Sequence, residues 1–244
     1  MIDTHAHLDA LDDVAAALGR ARTAGVTRVI AIGSGIESAR ATRKLAETED
    51  GVFVAVGIHP HQAGDGESPD DLRGVVDERV VAIGEIGLDF YRDYAPRDDQ
   101  RRLFAAQLRL ASELERPVIV HTRAADDETA SMLAEFDGRV VMHCFSMPEQ
   151  LGECLDRGYA ISFAGNVTYP SAGDLADAAK RVPDERLLVE TDAPYLTPQS
   201  MRRERNQPAY VAYTAAFLAQ LRGVEMDELA ATLERNAARV FGWG

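Results

Sequence analysis

Eight short apolar runs, each followed by a stretch with helical spacing, constrain this chain more than any other feature of its sequence. The runs span Ile2 to His5, Arg28 to Gly33, Val52 to Ile58, Val80 to Ile86, Pro117 to His121, Arg139 to His143, Tyr159 to Phe163 and Leu187 to Thr191. Helical spacing marks Leu11 to Ala24, Ser38 to Glu49, Arg97 to Leu114, Asp127 to Phe136, Pro148 to Asp156 and Leu175 to Arg181, and two closing helices are predicted over Pro208 to Leu221 and Met226 to Val240. Within Arg97 to Leu114 the residues Leu103, Phe104, Gln107, Leu108 and Ala111 share one helical face. Near-continuous Val, Ile and Ala runs fit parallel strands buried on both faces, and eight strand and helix repeats close into an α/β TIM (β/α)8 barrel. With 244 residues, 46% of them hydrophobic, and no linker to divide it, the chain reads as a single domain over residues 1–244.

Charge narrows the class of partner. The formal charge is −14 and only two lysines occur, Lys44 and Lys180, so nonspecific binding to a polyanion is disfavoured and any nucleic-acid role must rest on a local basic patch or on metal ions. No apolar run is long enough to span a membrane and no signal peptide precedes the first strand, so a cytoplasmic location is expected. The two cysteines, Cys144 and Cys154, are too few for a disulfide framework and are expected to be small buried hydrophobes.

The chemistry is concentrated in the histidines. There are six, His5, His7, His59, His61, His121 and His143, and each falls at or just after the C-terminal end of a predicted strand, the rim where barrels of this kind keep their active sites. Side chains alternate along a strand, so Asp3, His5 and His7 are expected on one face with both imidazoles aimed at one point. Glu85 and Asp192 end strands four and eight and would bring carboxylates to the same rim, with Glu190 read as a supporting or structural acid. Imidazoles and carboxylates without a cysteine partner suit a hard or borderline divalent ion. The number of ligands suggests two ions sharing a carboxylate; since both lysines fall in predicted helices, a modified lysine is excluded and Glu85 is expected to bridge.

Seven segments, in order along the chain, carry a resemblance to a known family. They are Asp3-Thr4-His5-Ala6-His7-Leu8, Val56-Gly57-Ile58-His59-Pro60-His61, Ile83 to Arg92 (IGEIGLDFYR), Pro117 to Arg123 (PVIVHTR), His143-Cys144-Phe145-Ser146, Glu190 to Leu196 (ETDAPYL) and Arg205-Asn206-Gln207-Pro208. The sequence resembles the TatD-type deoxyribonucleases, metal-dependent hydrolases of the amidohydrolase superfamily. That resemblance implies that His5, His7, Glu85 and Asp192 hold one ion and Glu85, His121 and His143 the other, with His59 facing the substrate phosphate. It implies a two-metal hydrolase that cleaves DNA from the 3′ end of single strands, with Asp192 as ligand and base. His59 or His61 would bind a phosphate oxygen or protonate the leaving group, and Mg²⁺, Mn²⁺ or Zn²⁺ would serve as the ions. A monomer is expected.

Two departures bear on substrate shape rather than on metal binding. The family pattern Arg-Gly-Lys-Arg-Asn-Glu-Pro is here Arg202-Arg203-Glu204-Arg205-Asn206-Gln207-Pro208, and Met147 replaces a glycine after the His-Cys-Phe-Ser stretch. Arg202, Arg205 and Asn206 are candidates to hold a phosphate chain, although an ordinary solvated run fits equally well, and Arg92 and Arg123 are the better candidates. Phe90, Tyr91, Tyr94, Tyr169 and Tyr195 lie near the rim, and most are expected to pin loops to the barrel rather than stack on bases. Two other readings compete with the nuclease: hydrolysis of another ester or amide, such as an aminoacyl-tRNA ester or a small metabolite, and a non-catalytic nucleic-acid-binding barrel.

Overall fold

The computed structural model describes residues 1–92 and 94–243. Eight strands, β1 Ile2–Ala6, β2 Arg28–Ser34, β3 Val52–Gly57, β4 Val80–Asp89, β5 Val118–Arg123, β6 Val140–Met142, β7 Ala160–Phe163 and β8 Leu187–Val189, belong to one sheet in sequence order. The registers of β1 with β2, β3 with β4, β4 with β5, β5 with β6, and β7 with β8 are all parallel. Helices α1 Val14–Thr23, α2 Ile36–Thr48, α3 Arg97–Glu113, α4 Asp126–Leu133, α5 Leu151–Asp156, α6 Gly173–Arg181, α7 Val211–Arg222 and α8 Met226–Phe241 make the crossovers and the C-terminal pair. This is the TIM-barrel order that the alternating pattern predicts. Among the strands the largest discrepancy is at β4, which runs to Asp89, three residues past its expected end at Ile86.

The chain gathers into two compact units, Met1–Ala31 with His143–Gly244, and Ile32–Met142. In the first unit β1 and β8 are stitched together by a parallel bridge between Ala6 and Ala193, and by bonds from Asp192 N to the His5 carbonyl at 2.9 Å and from His7 N to the Ala193 carbonyl at 2.8 Å. The Asp3 carboxylate, fully buried, accepts from Thr191 N at 2.8 Å and from Thr191 Oγ1 at 2.6 Å. Asp3 therefore spends its side chain on the β1 to β8 seam, where Thr191 takes both of its oxygens.

In the second unit two buried glutamines on α3 fix the strand ends that carry the chemistry. Gln107 accepts from Ile58 N at 2.7 Å and donates to the Ile58 carbonyl at 2.9 Å; Gln100 accepts from Asp89 N at 2.9 Å and donates to the Asp89 and Ala95 carbonyls. A buried amide that satisfies both partners of an exposed strand end replaces the ladder bonds that a further residue of strand would make. The β4 to β5 register shifts between Gly84 and Ile86, so Glu85 sits at a local irregularity, the usual device for re-aiming one side chain out of a regular ladder.

Glu234 on α8 closes the base of the first unit. Burial pushes its carboxyl up, but the Met1 ammonium at 2.9 Å, Thr27 and Arg28 at 3.1 Å outweigh this and hold it below the usual carboxylate range. A carboxyl depressed by folding contributes stability that is present above its unfolded pKa and lost as pH falls through its folded one. Glu234→Gln is expected to cost about 0.5–1 kcal/mol at neutral pH. Unfolding free energies measured from about pH 6 down to pH 3 should converge for the two proteins, since the wild type loses this contribution in acid.

Candidate metal centre

Four of the sequence-predicted residues meet in the first unit. His5 Nε2 lies 3.4 Å from His7 Nε2 and 3.8 Å from Asp192 Oδ1, and His7 Nε2 is 3.4 Å from the same oxygen. The His143 ring stacks on His5 with centroids 3.6 Å apart. Asp192 reaches this position because its backbone is left-handed at φ 55°, a conformation that aspartate tolerates better than most residues. Cys144, directly after His143, is also left-handed at φ 44° and is half-buried, not a core thiol as expected, whereas Cys154 is buried. Non-glycine residues held at positive φ cost about 1–3 kcal/mol and cluster where function over-determines the backbone.

His143 is oriented from behind. Glu190, 1% exposed, places Oε1 2.7 Å from His143 Nδ1 and accepts from Cys144 N at 2.8 Å. A carboxylate against the far nitrogen of a ligating imidazole is the common way to fix its tautomer and raise its basicity.

The second unit holds His59, His61, Glu85 and His121, together with Asp89, which the sequence reading left without a role. Glu85 Oε1 lies 2.7 Å from His121 Nδ1 and 3.5 Å from His59 Nε2. Asp89 Oδ2 lies 2.7 Å from His61 Nε2 and 3.4 Å from His121 Nε2, while its Oδ1 accepts from Tyr91 N and Arg92 N, both at 2.9 Å. Burial pushes the Asp89 carboxyl up, but His121, the Arg92 amide and His61 outweigh it and hold it well below the usual carboxylate range. His59 Nδ1 accepts from His61 N at 3.1 Å, so the ring shapes its own loop and carries its proton on Nε2, towards Glu85. Burial lowers the His59 pKa more than Glu85 raises it, so the ring is neutral at physiological pH.

The remaining candidates separate. Arg92, beyond the end of β4, and Arg123, the last residue of β5, are exposed, and Arg202 is exposed, its guanidinium over the Tyr169 ring. Arg205 is committed to Asp12 and to the Ala10 carbonyl, and Asn206, 1% exposed, donates to the Thr191 and Tyr195 carbonyls. Both fasten loops; Asn206 in particular holds the segment after β8 that carries Asp192. Asp89 had one sequence signal: it lies four residues past Glu85 with Gly87 between, on what proves to be the same strand.

The donor set fits a divalent ion. His5 Nε2, His7 Nε2 and Asp192 Oδ1 gather within 3.8 Å of one another, three atoms that can each offer a lone pair to one ion. Nitrogen and oxygen ligands about 2.0–2.2 Å from one ion at tetrahedral angles would themselves be about 3.4 Å apart. His5, His143 and Asp192 form one group of donors close enough to share an ion, and His59, Glu85 and His121 another. A TIM barrel that gathers imidazoles and carboxylates of this kind at its strand ends is a metal-dependent hydrolase.

Comparison with known proteins agrees. The family described as TatD related DNase matches residues 2–242. The chain belongs to that family. It is 40% identical to the Escherichia coli K12 protein named uncharacterized metal-dependent hydrolase YcfH, over 99% of this chain and 95% of that one. It is 37% identical to the 3′-5′ ssDNA/RNA exonuclease TatD of Citrobacter koseri, over 95% and 92%. Among solved structures, the YjjV TatD homolog from E. coli K12 superposes with a TM-score of 0.93 at 33% identity, covering 100% of this chain and 98% of that one. No helix among the described residues is long and apolar enough to cross a membrane.

Proposed function

We propose that this chain is a 3′-5′ exonuclease that hydrolyses phosphodiester bonds of single-stranded DNA with two divalent ions. The observation that carries the reading is the convergence of His5, His7 and Asp192 on one point at 3.4 to 3.8 Å. The exonuclease relatives support the substrate, and the family resemblance supports the ion assignment: His5, His7, Glu85 and Asp192 for one, Glu85, His121 and His143 for the other. Bound ions supply Lewis-acid charge that lowers the pKa of a water towards neutrality and steadies the oxygens of the phosphodiester. Asp192 takes the proton from the attacking water. His59, neutral and with its Nε2 proton outward from its own loop, donates to a phosphate oxygen, and His61, held by Asp89, stands ready to protonate the leaving oxygen. Arg92 and Arg123 receive the flanking phosphates as exposed cations.

Chelator-stripped protein given Mg²⁺, Mn²⁺ or Zn²⁺ separately, with a 5′-labelled single strand, tests this. A metal-dependent ladder shortening from the 3′ end is expected. Absence of cleavage with every ion, in protein shown by calorimetry to bind two, would move the reading to a carbonyl-ester hydrolase. Glu190→Gln keeps an acceptor for Cys144 N but removes the charge behind His143, and is expected to weaken ion binding about 10- to 100-fold. A calorimetric titration that matches the wild type would show that Glu190 serves the loop alone.

A further inference from the structure

Among the described residues four large apolar side chains are exposed, all of them tyrosines: Tyr91 at 64%, Tyr94 at 65%, Tyr195 at 58% and Tyr213 at 43%. Three of the four follow the strands that carry the site carboxylates. This runs against the expectation that rim aromatics pin loops. The expectation does hold for Phe90, flanked by the guanidinium groups of Arg97 and Arg101 at 4.6 and 5.4 Å, and for Tyr169, whose hydroxyl donates to the Thr197 carbonyl at 3.0 Å. Tyr91 and Tyr94 leave most of their rings in water, a state that an exposed aromatic pair keeps at a cost unless a partner arrives.

Their setting is built, not loose. The backbone amides of Tyr91 and Arg92 are fixed to the buried carboxylate of Asp89 at 2.9 Å each. Arg123 lies over the Tyr91 ring at 4.1 Å from its centroid, and the Tyr94 ring meets His61 at 4.8 Å and 75°. His61 is in turn held by Asp89 and lies 4.2 Å, centroid to centroid, from His59. The Tyr91 ring is thus presented from an anchored backbone with a cation on its face, and the Tyr94 ring stands beside an imidazole of the candidate site. Rigid tyrosines lose little conformational entropy when they are covered, and every nucleobase has a face that they can stack on.

We infer that Tyr91 with Arg123, and Tyr94 beside His61, form a base-stacking subsite for unpaired nucleotides. The inference rests on the nuclease reading and deepens it. The subsite recognises the flat faces of bases, not their edges, so it is tolerant of sequence. It selects single strands, because in a duplex those faces are already covered by neighbouring bases.

The test compares the full-length wild type with Tyr91→Ala, Tyr94→Ala and the double variant on two probes, a labelled 12-nucleotide thymidine strand and the same strand with every base replaced by an abasic tetrahydrofuran unit. Stacking on an aromatic side chain is worth enough that each single variant should raise KM for the thymidine strand about 5- to 100-fold, with kcat little changed. Tyr91→Phe and Tyr94→Phe should restore it. The wild type should cleave the abasic strand with the same raised KM as the double variant, and the variants should lose nothing further on it. Unchanged KM on the thymidine strand, or an equal loss on the abasic strand, would overturn the subsite while leaving the nuclease intact. Cleavage of neither strand by the wild type would overturn both readings together.

Discussion

Glu85→Gln is expected to reduce metal-dependent cleavage of a single-stranded oligonucleotide by more than about 100-fold, since even changes one shell further out commonly cost 10- to 100-fold. The side chain is 3% exposed, lies 2.7 Å from His121 and 3.5 Å from His59, and sits where β4 loses its regular register. Glutamine fills the same volume, so the fold should survive with an unchanged melting temperature. What is lost is a full negative charge in a place where the proposed assignment asks one carboxylate to serve two ions. An amide offers one acceptor oxygen and turns an NH₂ group towards a second partner that is itself positive or a donor. The measurement is kcat/KM alongside a calorimetric titration. Full activity with a single remaining ion would remove Glu85 from the bridging role.

Gly87→Ala is expected to act on the fold itself. Gly87 has φ 142°, and a Cβ built on it would stand 1.9 Å from the His121 carbonyl oxygen, on the neighbouring strand and at the paired register position. The oxygen belongs to backbone and has no rotamer to escape into. Strain at that φ and the overpacking together are expected to cost about 3–5 kcal/mol. For a chain of this length that lowers the melting temperature by about 10 °C. A thermal melt within a degree or two of the wild type would show that β4 and β5 can part at this point without loss.

The apolar periodicity of the sequence was enough to locate all eight strands, because strands buried on both faces must be apolar almost throughout. It misjudged β4. The apolar run ended at Ile86, but Gly84 and Gly87 approach β5 closely enough for β4 and β5 to pair past Glu85, and so Asp89 lay beyond the expected end of the strand. Of the candidate site, the histidines were legible because their period and their strand-end positions are properties of sequence alone. Asp3 and Asn206 were not, since a polar side chain in a motif looks the same whether it faces the site or the backbone of a neighbouring segment. Only the packing of β1 against β8 brings Thr191 to the Asp3 carboxylate, and only the chain's return after β8 gives Asn206 the carbonyls of Thr191 and Tyr195. The exposure of Tyr91 and Tyr94 was equally hidden, because composition does not distinguish an aromatic anchor from an aromatic platform.

Asp89 gives this half of the molecule a common junction. One carboxylate serves an imidazole proposed to hold an ion, an imidazole proposed to meet the leaving group, and the two amides that aim the tyrosine loop. Groups that compete for the same acceptor do not act independently. On the proposed roles, a strand end that draws His61 away from Oδ2 would leave that oxygen to His121 and tighten the hold on the ring proposed to hold the ion. The pair His61→Ala and His121→Ala should therefore lose more than the sum of the single losses, because in each single variant the remaining ring keeps Oδ2 to itself. The proposed recognition of the strand and the proposed metal centre thus share one hydrogen-bonded node.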